Sequence, residues 1–186
     1  MPKTKTSFWS DAQLEPKRKY RFRMLFADNS AYTIKSVKNP TIKISETPHK
    51  FLNHTFYYPG RAEWDPVDVT FVDPSAPDQT YELYSKLTSA GYKSPKKNED
   101  SMEGFTKYAS TVALGTVQIQ TLGPLGPGLT DLDVIGSWTL FNAFFTNISW
   151  GDFSYDSEDM VELSTTVRYD YAEYDATDLV AGTPQN

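Results

Sequence analysis

Apolar and polar residues alternate along much of the chain, a period of two that predicts β-strands. One such run lies near the N-terminus, where Arg21 and Arg23 separate the apolar members Tyr20, Phe22, Met24 and Phe26. A longer run covers residues 160–171, with one apolar parity: Val161, Leu163, Val167, Tyr169 and Tyr171. We expect a single long strand there, with one polar face.

Shorter runs predict further strands at 31–37, 41–45, 67–71, 112–121 and 138–140. The candidate core positions in the first two are Ile34, Val37, Ile42 and Ile44. The apolar stretch 141–150 fits either a helix or a strand, and the Gly-Pro-rich segment 123–128 predicts a turn.

A helix is predicted only after Pro77, with Asp78 as its N-cap and an end near Gly91. Residues 93–108 are polar and predict a long mobile loop, and residues 174–186 predict a frayed tail. About seven strands around one flanking helix indicate a mainly β fold, a β-sandwich or a partly closed β-barrel. We expect a single domain over 1–186, with a core at about 14–174.

Composition supports a folded chain: 39% of the 186 residues are hydrophobic and 15% are aromatic. The longest apolar runs fall short of the roughly 18 residues of a membrane helix, and no signal-peptide pattern follows Met1, so we expect a soluble chain without membrane insertion. The sequence has no cysteine, which excludes disulfides and thiolate chemistry and fits a reducing compartment.

Charge is segregated along the chain. Residues 1–50 hold 11 basic and 4 acidic residues, whereas residues 129–186 hold 1 basic and 11 acidic residues, within a net charge of −6. Two interpretations remain open. The two ends attract each other between copies stacked head to tail, or they neutralise each other within one folded subunit.

Candidate catalytic and metal-binding patterns are weak. His49 and His54 are five residues apart, which on an extended segment predicts opposite faces and no shared metal. The acidic cluster around 152–159 does not match a calcium loop and reads as a solvated turn. The sequence shows no nucleophile motif and no phosphate-binding loop, so we expect no enzyme, no catalytic residue, no metal and no cofactor.

Two segments suggest contact surfaces. The basic run 17–23 could bind nucleic acid, but an overall pI near 4.9 favours an acidic partner segment instead. Residues 47–64 are too aromatic for a solvated loop and too long for a hairpin turn. We therefore expect an extended loop that covers its own core or docks on a neighbouring subunit.

Four segments, in this order, resemble the tail tube proteins of contractile-tailed bacteriophages, the myoviruses. They are the strand 20–24, the loop 51–60, the block 64–73 and the closing strand 161–171. The resemblance implies a structural protein of the virion, a β-sandwich or barrel-like subunit that forms six-membered rings stacked into a hollow tube for genome ejection.

The resemblance also implies partners and contact residues. The partners are further copies of the chain, the tail sheath, the baseplate, the tape-measure protein and DNA as a non-specific cargo, in phage tails assembled in the host cytoplasm. The loop residues expected at subunit contacts are Pro48, His49, Phe51, Asn53, Phe56, Tyr57, Tyr58 and Arg61. The charged residues expected between rings are Lys17, Arg18, Lys19, Asp175 and Asp178.

Other functions remain open at this point. A tube terminator or distal-tail protein would share the subunit fold but form one ring. A carbohydrate-binding β-sandwich would also be rich in Trp and Tyr, because sugars stack on exposed aromatic rings.

Overall fold

The structure, a computed structural model, describes residues 16–26, 29–30, 33–97, 104–123 and 134–176. These ranges contain eleven strands and two helices. In chain order they are β1 Phe22–Phe26, β2 Asn29–Ser30, β3 Ile34–Val37, β4 Ile42–Phe51, β5 His54–Trp64, β6 Val67–Val72, α1 Gln79–Ser89, α2 Lys107–Leu114, β7 Val117–Leu122, β8 Val134–Phe141, β9 Phe144–Ser149, β10 Glu162–Arg168 and β11 Tyr171–Ala176.

Two antiparallel sheets enclose the core. One has the order β11-β8-β7-β1-β2 and the other β3-β6-β10-β9, while β4 and β5 form a separate two-stranded sheet. Met24 and Ile119 enter the core from the five-stranded sheet, and Val69 and Leu163 enter from the four-stranded sheet. The rings of Phe26 and Phe71, one from each sheet, lie 6.0 Å apart. The predicted β-sandwich class is confirmed, and neither sheet closes into a barrel.

Helix α1 begins where the sequence predicts it. The Asp78 side chain accepts a hydrogen bond from the Tyr81 amide at 2.9 Å, the contact expected of an N-cap. Leu83 is the apolar residue that α1 buries in the core, whereas Tyr81 and Tyr84 remain exposed. The helix therefore covers one end of the sandwich with a narrow apolar stripe.

The second helix was not predicted and lies across the segment expected to be a polar loop and the start of a strand. Thr106 caps α2 by accepting a hydrogen bond from the Ala109 amide, and Gly115 follows the helix with a φ of 71°. The loop predicted over 93–108 is therefore shorter, and its residues 98–103 lie outside the described ranges. The turn predicted over 123–128 lies almost wholly outside them as well.

The predicted long strand over 160–171 is two strands in different sheets. β10 pairs with β6 and β9, and β11 pairs with β8 in the other sheet. The chain crosses between the sheets at Tyr169 and Asp170, where the alternation continues although the strand does not. The tail predicted from 174 onward is also wrong in its first three residues, because β11 extends to Ala176.

Gly136 allows β11 to pack closely on β8. A Cβ at this position would overlap the Tyr174 hydroxyl and lie 2.7 Å from the Cζ of the same ring. That ring also contacts Trp138, with centroids 4.9 Å apart. The glycine therefore leaves room for the half-exposed Tyr174 ring, which a larger side chain at this position would displace.

We expect Gly136→Val to destabilise the fold by about 1–3 kcal/mol, the usual cost of overpacking a filled site. Urea unfolding measures the loss. In a Tyr174→Ala background the same substitution has no ring to displace, so the two effects should not add. Full additivity would show that the strain at Gly136 has another source.

Candidate interaction surface

Residues 42–64 form one long β-hairpin rather than the predicted extended loop. β4 and β5 pair antiparallel from Ile42↔Trp64 to Phe51↔His54, with Leu52 and Asn53 as the turn. The segment 47–64 is too long for a hairpin turn because most of it belongs to the two strands that flank the turn. All eight loop residues predicted at subunit contacts lie on this hairpin, and all are exposed.

Aromatic and histidine side chains share one face of the hairpin. His49 is paired with Phe56, and Phe51 with His54, and directly paired residues project to the same side of a sheet. The rings of His54 and Phe56 lie 5.6 Å apart. The prediction that the two histidines point to opposite faces is therefore wrong, because the turn at 52–53 lies between them.

The other face of the hairpin carries Pro48 and Tyr57, which pair with each other. Both faces expose large apolar side chains, and these two strands pair with no other described strand. An isolated two-stranded hairpin is at best marginally stable in water. A hairpin of this length and apolarity is therefore expected to be covered in the functional state.

Ile42 and Ile44, predicted as core residues, lie at the base of the hairpin and are exposed. Their alternation is real, but the strand that carries them leaves the sandwich. Ile34 and Val37, the other two predicted positions, are partly buried against the core.

Trp64 anchors the hairpin to the sandwich. Its ring lies 6.3 Å from that of Trp138 and 6.0 Å from that of Tyr169. A bulge between Ile44 and Glu46 follows, where the Ser45 hydroxyl accepts a hydrogen bond from the Arg61 amide at 2.9 Å. The base is therefore held by packing and hydrogen bonds, while the outer part projects into solvent.

The hairpin and the loop between β9 and β10 leave the four-stranded sheet at opposite ends. β6 starts at Val67, paired with Val167, and ends at Val72, paired with Glu162. The hairpin precedes Val67, whereas the β9–β10 loop, residues 150–161, precedes Glu162. The hairpin base and the β9–β10 loop are therefore separated by the length of β6.

The β9–β10 loop exposes apolar side chains that were not recognised in the sequence. Phe153, Tyr155 and Met160 are exposed, and they line a hollow of about 590 Å³ with Asp152 and Asp159. The acidic residues of this loop predicted a solvated turn. That prediction did not account for the three exposed apolar side chains.

A groove of about 960 Å³ follows strand β9 from the hairpin base to Trp150. Phe144 and Ile148 line it from β9, and Thr106 and Ser110 line it from the facing helix α2. Among the described strands β9 pairs only with β10, so its outer edge is unpaired. The groove is a second candidate contact surface.

Asp170 ties three elements together at one end of this groove. Its Oδ2 accepts hydrogen bonds from Lys107 Nζ at 2.6 Å and from Asn142 Nδ2 at 2.7 Å. These two donors, Lys107 first, hold the pKa of the Asp170 carboxyl below its ordinary value of 3.8. The carboxylate thus links the start of α2 to the β8–β9 turn.

We expect wild type to be more stable than Asp170→Asn at neutral pH. The folded-state pKa is lowered, so the stabilisation is present above pH 3.8 and is lost as the pH falls through the lower folded value. Urea midpoints measured for both proteins from pH 7 to pH 2.5 should therefore converge. Midpoints that differ by the same amount at every pH would show that the charge of Asp170 is irrelevant.

Lys17, one of the charged residues predicted between rings, contacts the C-terminal strand β11. Lys17 Nζ donates a hydrogen bond to the Tyr174 hydroxyl at 2.8 Å, which places it beside the segment that contains Asp175. Arg18 and Lys19 are exposed, and Asp178 lies outside the described residues. This contact brings the basic segment near the N-terminus and the acidic C-terminal segment side by side within one subunit.

Within the described ranges, no group of three or more His, Asp or Glu residues is arranged to hold a metal ion. No helix in the same ranges is long and apolar enough to span a membrane. Burial raises the pKa of the Tyr169 phenol, whose ring contacts Trp64 under the hairpin base.

Solved structures share this fold. A chain of the extended sheath–tube complex of an extracellular contractile injection system, PVC, aligns with a TM-score of 0.63 at 18% identity, over 92% of this chain and 99% of that chain. The PVC sheath/tube terminator in its extended state aligns with a TM-score of 0.63 at 16% identity, over 87% and 98%. The tube-terminating cap of the anti-feeding prophage aligns with a TM-score of 0.62 at 16% identity, over 88% and 93%.

No protein-family model matches the chain, and neither does any curated protein sequence. At 16–18% identity, the structural likeness establishes a fold shared with these chains of contractile injection systems.

Proposed function

We propose that this chain is a structural subunit of the tube of a contractile tail, and that rings of it stack into a hollow conduit. The fold shared with tube and tube-terminator chains of contractile injection systems supports this role. Fold alone does not define function. The exposed surfaces of the chain provide the further support.

The observation that carries the proposal is the exposed hairpin 42–64. It presents Phe51, Phe56, Tyr57 and Tyr58 to solvent, all outside the core of their own subunit. Aromatic side chains on a projecting element are typical anchors of protein–protein contacts. If the hairpin of each copy docks on a different surface of the next copy, and the second copy does not return the same contact, the interface is head to tail and generates rings or filaments.

The finer features follow the resemblance to myovirus tail tubes. We propose six-membered rings that bind the sheath outside, contact the baseplate at one end of the tube, enclose a tape-measure protein and pass DNA as a non-specific cargo. We also propose that the whole chain 1–186 acts as one domain in the virion. A net charge of −6 suits a conduit, since a negative lining repels phosphate and lets DNA slide. We propose no enzymatic activity.

A tube terminator is the second candidate. Two of the aligned chains come from a terminator and from a tube-terminating cap, with TM-scores of 0.63 and 0.62. A terminator would form a single ring, whereas a tube subunit would add rings without limit.

Light scattering across a concentration series tests both candidates. A tube subunit should give particles whose mass starts near six times the 21.1 kDa of the chain and grows with concentration. A mass that stays at one ring would support the terminator. A mass of one chain at every concentration would contradict both.

A further inference from the structure

We propose that the hairpin tip, residues 47–58, of one copy docks on the β9–β10 loop, residues 150–161, of the next copy. This inference rests on the proposed function and names the acceptor surface for the hairpin. Four independent features of the described residues support it.

The first feature is Leu52 at the turn. Its φ is 52°, in the left-handed region that glycine and asparagine adopt most easily, and its side chain is 89% exposed. A leucine there costs of order 1–3 kcal/mol in backbone strain, and its exposed side chain packs little against the described residues of its own subunit. A contact with another copy would offset this strain.

The second feature is the way the acceptor loop is held. Its ends are fixed by the Trp150 ring, 6.4 Å from that of Tyr84, and by the hydrogen bond from the Asp73 amide to the Val161 carbonyl at 3.0 Å. Between these ends Phe153 is 87% exposed. The loop thus presents apolar side chains from a fixed frame, as a docking surface requires.

The third feature is charge. The hairpin tip, residues 47–58, contains Lys50 and no acidic residue. Residues 150–161 contain four acidic residues and no basic one, namely Asp152, Asp156, Glu158 and Asp159. The two surfaces are both apolar and carry opposite charge, so each favours the other over a second copy of itself.

The fourth feature is position. The hairpin and the loop leave opposite ends of the four-stranded sheet, about 20 Å apart for the six residues of β6. A copy stacked along the strand direction meets the loop of its neighbour with its own hairpin. The same contact then repeats from copy to copy without closing on itself.

Cysteine cross-linking tests the contact directly, because the chain has no cysteine of its own. One chain carries Asn53→Cys beside Leu52, and a second carries Ser154→Cys between Phe153 and Tyr155, so the proposed anchors stay intact. Ser89→Cys, an exposed serine on α1, is the matched control. Asn147→Cys reports docking in the groove along β9.

We expect the 53–154 disulfide to form about tenfold faster than the 53–89 disulfide, because docking holds the two thiols at a high effective concentration. Adding Lys50→Glu to the Asn53→Cys chain should slow the 53–154 reaction and leave the 53–89 reaction unchanged.

Equal rates for 53–154 and 53–89, or a faster reaction with Asn147→Cys, would overturn the proposed acceptor. Light scattering of wild type separates this failure from failure of the proposed function. If wild type still forms growing particles, only the acceptor is wrong.

Discussion

Replacing both Phe56 and Tyr57 by aspartate should yield a folded monomer that no longer assembles. The two side chains lie on opposite faces of the hairpin and are exposed, so their loss removes nothing from the core. An aromatic anchor in a subunit contact contributes about 2 kcal/mol, and losing two weakens self-association about a thousandfold. The charges added in an apolar contact increase the loss.

Circular dichroism and light scattering on the same samples measure folding and assembly separately. The matched control is Tyr108→Asp, since Tyr108 is 80% exposed in the first turn of α2, where an acidic residue is favourable. This control should assemble like wild type. A double variant that still forms rings would show that the hairpin is not the docking element.

Replacing Phe71 by alanine should cost the subunit about 3–5 kcal/mol of unfolding free energy, as for other buried phenylalanines. Phe71 is 1% exposed on β6 and packs against Phe26 of the opposite sheet. The cavity would open between the two sheets, where neither can move without breaking its own pairing. A loss of this size is a large part of the stability of a single domain.

Urea unfolding measures the loss, with Tyr81→Ala as the matched control. Tyr81 is an exposed aromatic residue on α1, and its truncation should change stability by less than about 0.5 kcal/mol. Similar effects for the two variants would show that Phe71 does not lie in the packed core.

The strands that face the core could be predicted from the sequence because burial on one face imposes the period of two. Val67, Val69 and Phe71 alternate with polar residues, and the structure buries all three. The same rule failed at 160–171. Alternation reports which side chains are buried, and it continued through Asp170 although the chain changed sheets there.

The sequence contains a pattern from which helix α2 could have been predicted. Thr106 and Gly115 bracket eight residues without proline or glycine, which is the pattern of an N-cap and a C-terminal glycine. The polar residues before it suggested a continuous loop, and packing of α2 against α1 and β9 decided the outcome. Tertiary contacts of this kind are not visible in local sequence.

The candidate surface was predictable in part. The aromatic residues of 47–64 identified the segment, but the turn at Leu52 was missed because leucine is not a turn residue. The β9–β10 loop was not predicted as a contact surface, because its acidic residues indicated a solvated turn despite Phe153 and Tyr155. The pairing of β6 with β10 places the hairpin and the β9–β10 loop at opposite ends of the sheet. Local sequence does not reveal this pairing, because it forms only in the folded chain.

We expect the chain to stack through its hairpin, and negative-stain electron microscopy of the purified protein shows whether it does. Wild type should show rings and stacked hollow tubes, and the Phe56→Asp, Tyr57→Asp variant should show neither at the same concentration. Tubes of the same length from both proteins would show that the hairpin is not needed for stacking.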